Sequence, residues 1–131
     1  MRLDNSPSLD DLAKIAEAAL ADIPAEFKQN IEDVVLQIDE LPDDMTLRSL
    51  RIGNPLNLLG LYRGVPLGKK RTGAIVQDVD VIFLYRRPLL EQWRIRGGLL
   101  GDLVRHVLIH EIGHHFGLSD SDMMQIERGS D

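Results

Sequence analysis

The sequence predicts a small α+β fold in which a mixed or antiparallel sheet packs on one long helix. Three observations point there. Apolar residues at helical spacing open the chain, alternating β-branched runs occupy its middle, and helical spacing returns over its last third. With 131 residues and no cysteine, the chain fits one domain over 1–131, with residues 1–7 a flexible lead, and has length enough to bury a core without disulfides.

The elements follow in order. Ser8 ahead of Asp10 and Asp11 marks a helix start. Leu9, Leu12, Ile15, Ala16, Ala19, Leu20 and Ile23 then recur at helical spacing until Pro24 interrupts them. Residues 25–30 suit a short helical turn. The run Val34 to Ile38 reads as a strand, closed by the turn residues Leu41-Pro42-Asp43-Asp44. Residues 58–63 suggest a second strand, and Gly64 to Gly73 a loop or hairpin end. Asp78 to Tyr85 gives the clearest strand, with Val79, Val81, Phe83 and Tyr85 on one face. Pro88 suits a helix first turn, Leu89, Leu90 and Trp93 give that helix a buried face, and Gly97-Gly98 ends it. A long helix follows over roughly 99–116.

The net charge of −6 speaks against a general nucleic-acid binder, so no nucleic-acid partner is expected. Positive charge gathers in residues 45–105, including Lys69-Lys70-Arg71 and Arg86-Arg87. That suits solvated surface, or a rim that attracts acidic substrates. The N-terminus lacks a continuous apolar stretch, and no segment has the apolar length of a membrane span. With no cysteine, these features lead to the expectation of a cytoplasmic protein without a membrane partner.

The chemistry concentrates at residues 106–120. All four histidines lie between 106 and 115. On a helix, His110 and His114 sit about 40° apart, one turn from each other, so both imidazoles can reach one tetrahedral ion. Glu111 lies to one flank, where its carboxylate can reach a metal-bound water. Leu99, Leu103 and Val107 precede the pair on the same stripe, which predicts a rigid, buried support. Two ligands are too few for tight binding. Gly117 can take the left-handed conformation that ends a helix, and the returning chain can then bring up Asp120 as a third ligand. His110, His114 and Asp120 leave a fourth position for water. Zinc is the expected ion, and the oxygen ligand also admits other divalent metals. Gly113, unfavourable inside a helix, suggests a close approach by another backbone.

The segment HEIGHHFGLSD, residues 110–120, resembles the zincin metallopeptidases, in the form with Asp as third ligand. With Leu61 to Leu67 and Tyr85 to Leu89, the sequence is similar to the small bacterial single-domain zincin-like metallopeptidases over about residues 9–126. The resemblance implies a minimal zincin-like fold with His110, His114 and Asp120 as ligands and Glu111 as general base. It also implies a methionine below the metal, a place open to Met123 or Met124.

The expected function is zinc-dependent hydrolysis of peptide bonds. The ion polarises the carbonyl and acidifies a water, and Glu111 takes the water proton and passes it to the leaving amine. Tyr62 and His115 are candidates for a second electrophile, each with a plain reading as a packed tyrosine and a hydrogen-bonded histidine. His106, one turn before His110, is expected outside the ligand set. The partner expected is a peptide or protein, bound along the edge of strand 78–85 by main-chain pairing. Two alternatives remain: a metal-dependent ribonuclease, against which Glu111 and the acidic balance speak, and a metal-binding module without turnover.

Overall fold

The computed structural model describes residues 6–28, 31, 33–66 and 78–128, except the side chains of residues 26, 27, 65, 66, 78, 115 and 120. Residues 1–5 of the expected lead, the Lys69-Lys70-Arg71 stretch, and the side chains of His115 and Asp120 lie outside the described residues.

Helix α1 spans Leu9–Ala21. Its start is fixed by a capping box: Asp11 N–H donates to Ser8 Oγ at 3.0 Å and Ser8 N–H to an Asp11 carboxylate oxygen at 2.9 Å. Leu12 and Ala16 are fully buried on its inner face. After a short turn of helix, α2 (Ala25–Lys28), strand β1 (Val35–Asp39) leads into an element the turn residues concealed. Asp43 does not close a simple turn; it caps helix α3 (Asp44–Ser49) by accepting from Thr46 N–H at 2.7 Å. A single 3-10 turn at Pro55–Asn57 precedes strand β2 (Gly60–Pro66), and strand β3 (Asp78–Tyr85) matches its expected bounds.

The sheet is mixed, in the order β1-β3-β2, with β1 parallel and β2 antiparallel to β3. This corrects one expectation. Strand 78–85 is the central strand, paired with β1 over Val81–Tyr85 and with β2 over Asp78–Leu84, so over Val81–Leu84 it offers no edge for a peptide. The two edges belong to β1 and β2. Long alternation is as characteristic of a central antiparallel strand as of an edge strand, because side chains report on faces and not on neighbours.

Both faces of β3 are covered. Ile82 and Leu84 enter the main core with α1 and α5. On the other face the rings of Phe83 and Tyr85 stack at 6.3 Å, and the Arg63 guanidinium lies 5.6 Å from the Phe83 centroid. Arg63 also donates to Thr46 Oγ1 at 2.9 Å, which ties α3 to this face.

Helix α4 (Arg86–Arg96) starts directly at the end of β3, with Pro88 and Leu89 buried, and ends at Gly97 with a φ of 73°. Arg86 is engaged within the fold. Its guanidinium donates to Pro7 O and to Glu40 Oε1, each at 2.6 Å, and so joins the start of α1 to the end of β1. Helix α5 (Leu100–Phe116) carries the core residues Leu103, Val104, Val107, Leu108, Ile109 and Ile112. Leu99 departs from the expected stripe. It is the extended residue before the helix and is 72 % exposed, while Leu100 takes the buried place. Among the described residues, no helix is long and apolar enough to cross a membrane.

One contact sets the distance between sheet and helix. A Cβ on Gly60 would stand 2.8 Å from Val107 Cγ1 and 3.1 Å from the Phe83 carbonyl oxygen. Only a residue without a side chain lets the first residue of β2 lie this close to α5.

Gly60→Ala is expected to destabilise the fold by about 1–3 kcal/mol through overpacking. Adding Val107→Ala should recover part of that loss, a non-additivity measurable in a denaturation cycle; strict additivity would disprove the contact. A second expectation concerns alkaline pH. Burial pushes the Tyr85 phenol up to about 12, with Asp39, Asp43 and Glu111 adding to the rise and Arg63 opposing it. The folded state therefore keeps the proton that an unfolded tyrosine releases near pH 10. Stability from this source is complete below about pH 10 and is lost as pH rises through about 12. Urea melts of Tyr85→Phe should show a shallower alkaline decline than wild type.

Candidate metal centre

The last two turns of α5 carry His110, Glu111 and His114, and the helix runs unbroken to Phe116. The one-turn spacing expected for the two histidines is therefore present. His114 is 67 % exposed, whereas the Glu111 side chain is only 14 % exposed. Glu111 is held from β2 and has His114 close by. The Tyr62 backbone N–H of β2 donates to Glu111 Oε1 at 3.1 Å, and His114 Nδ1 lies 3.7 Å from the same oxygen. The strand thus reaches the candidate base through its main chain. The Tyr62 phenol has a different partner: its hydroxyl donates to Asp80 Oδ1 at 2.6 Å. Its ring packs against the core, as the plain reading expects.

Strand and helix run side by side in the same sense. Gly60 meets Val107, and two residues later Tyr62 meets Glu111. Two residues of strand rise about 6.6 Å and four of helix about 6 Å, so the contacts stay in step. Leu61 and Arg63 alternate with Tyr62 along β2, and their main-chain groups face β3 while that of Tyr62 faces outward. No described strand pairs with this outer edge.

The helix end takes the expected form. Gly117 adopts the left-handed conformation (φ 63°, ψ 33°), its N–H bonding back to Gly113 O, and Leu118 N–H reaches the same carbonyl at 2.9 Å. A further helix then begins, which the sequence reading did not anticipate: α6, Asp120–Arg128. Ser119 and Asp122 exchange side chain-to-backbone bonds at 3.0 and 3.2 Å, a capping box at its start. Asp120 is the first residue of α6.

Helix α6 folds back along α5, and Gly113 explains how. A Cβ at Gly113 would fall 2.1 Å from Met123 Sδ. The close approach expected at Gly113 is therefore real, but a methionine side chain makes it rather than a backbone. Met123 is buried there, while Met124 is half exposed. At the far end Arg105 donates to Glu127 O and to Ile126 O, satisfying terminal carbonyls of α6 and complementing its dipole.

This packing creates a grouping absent from the sequence reading. The Glu127 carboxylate bonds His106 Nδ1, and the rings of His106 and His110 lie 4.2 Å apart. Ligand atoms of His106, His110 and Glu127 all lie within 4.8 Å of one another. Two imidazoles and a carboxylate are donors of the kind zinc and related divalent ions accept. The i, i+4 spacing of His106 and His110 was visible in the sequence; the arrival of Glu127 was not, because it depends on where α6 docks.

No curated protein matches the chain. A family model described as zincin-like metallopeptidase matches residues 31–130, a span that includes every element from β1 to α6. The matched segment holds the mixed sheet, the histidine-bearing helix and the helix that returns along it. The chain belongs to the zincin-like metallopeptidase family.

Proposed function

We propose that the protein is a zinc-dependent peptidase in which His110, His114 and Asp120 hold the ion and Glu111 is the general base. The observation that carries this reading is the placement of Glu111. It stands beside His114 and is fixed by the backbone of β2, at an edge where no described strand pairs. Family membership and a glutamate directly after His110 favour peptide hydrolysis over the nuclease alternative.

The residues fit the ion that the family implies. His110 and His114 are one turn apart at the end of a well-packed helix, and Gly117 turns the chain so that the next helix opens with Asp120. When bound, zinc supplies Lewis-acid polarisation of a carbonyl and lowers the pKa of water. The remaining work belongs to the chain. The Tyr62 N–H orients one carboxylate oxygen of Glu111, leaving its remaining acceptor capacity to take a proton from the attacking water and return it to the leaving amine. A substrate peptide pairs with the outer edge of β2, where Gly64 follows Tyr62 as the next outward residue. Main-chain pairing there sets its carbonyls over the end of α5.

Purified without chelator, the wild-type protein is expected to carry close to one zinc per chain by elemental analysis. Glu111→Gln keeps an oxygen that accepts from Tyr62 N–H, so fold and zinc content should persist. Cleavage of a quenched-fluorescent peptide library should fall by about 100-fold or more. Undiminished cleavage by Glu111→Gln would remove that residue from the mechanism.

A further inference from the structure

Helix α5 carries a ladder of three histidines, His106, His110 and His114, each four residues from the next. Such a ladder contains two overlapping pairs with the same geometry, and His110 belongs to both. Helix α6 runs back beside it. It opens with Asp120 and brings Glu127 to the His106 end. The spans match: about 12 Å separates His114 from His106 along α5, and about 10 Å separates positions 120 and 127 along α6. Helix α6 thus carries Asp120 at its start and, seven residues on, Glu127 at the His106 end.

We propose that His106, His110 and Glu127 form a second divalent-metal position, which shares His110 with the His110–His114 pair. The geometry supports it directly, since these donors already stand within 4.8 Å of one another. Access is present too. His106 and Glu127 line a cavity of about 250 Å³ with Arg96 and Asp102, so an ion can reach them from solvent. Sharing His110 makes the positions mutually exclusive, because one neutral imidazole presents one lone pair for a metal. The protein therefore holds one ion in either of two places.

The two places are not equivalent. Around the helix, His106 lies about 40° to one side of His110, while His114 and Glu111 lie about 40° and 100° to the other. An ion at the His106 position is set toward α6, away from the carboxylate that β2 holds. The second position is thus a resting place for the metal without a neighbouring base. It does not depend on the peptidase reading, since its readout is bound metal rather than cleavage.

The test is zinc affinity and stoichiometry by equilibrium dialysis, with circular dichroism melts to confirm folding. His114→Ala removes the first pair and is expected to retain close to one zinc per chain. His114→Ala/His106→Ala and His114→Ala/Glu127→Gln should each bind zinc at least tenfold more weakly than His114→Ala. Glu127→Gln preserves shape and hydrogen bonding, so it reads the donor rather than the packing. If His114→Ala loses its zinc while wild type keeps it, the second position is overturned and the His110–His114 reading stands. Equal affinity in His114→Ala and the Glu127→Gln double variant also overturns it.

Discussion

The close contact between β2 and α5 is the constraint on which the site depends. Gly60 brings the strand against Val107, closer than any side chain permits. From there strand and helix advance in step, so that a backbone N–H of the strand falls on the carboxylate of Glu111. A loop could place a donor near that oxygen, but a strand paired along its whole length to β3 does so with little freedom. The same contact puts the outer edge of the sheet beside the last turns of the histidine helix.

The second organising feature is the return of α6. Gly117 ends α5 in a left-handed turn, Ser119 caps the next helix, and the empty Cβ position of Gly113 receives Met123. Arg105 then anchors the far end through the terminal carbonyls of α6. These contacts are modest singly, but they fix one helix against another along its length. The result is a row of three histidines flanked by a helix with acidic residues near both of its ends. A helix that bears ligands at every turn can offer an ion more than one position, and the docked neighbour decides which are complete.

Part of the positive charge in the middle of the chain is structural in the fold. Arg86 bridges α1 and β1, and Arg63 covers Phe83 while holding α3. Arg105 closes α6. Each of these cations satisfies carbonyls, a hydroxyl or a carboxylate inside the molecule. These three arginines are therefore committed within the fold, whatever their count in the sequence suggests.

Local chemistry determined much of this protein by itself. The Ser8 cap, the bounds of β3, the end of α4 at Gly97, the one-turn spacing of His110 and His114 and the left-handed Gly117 all arise from neighbours a few residues apart. The tertiary structure alone decided the rest. The alternating pattern of residues 78–85 records two faces but not how many strands lie beside it, so only the sheet order shows that β3 is central and β2 an edge. Asp43 reads as a turn residue until Arg63 and the covered sheet face give α3 something to pack against. Glu127 lies 17 and 21 residues from His110 and His106 in sequence, and only the docking of Met123 into the space above Gly113 brings it to them. Short-range spacing fixes which residues share a helix face; what stands opposite that face depends on long-range packing, which no local pattern encodes.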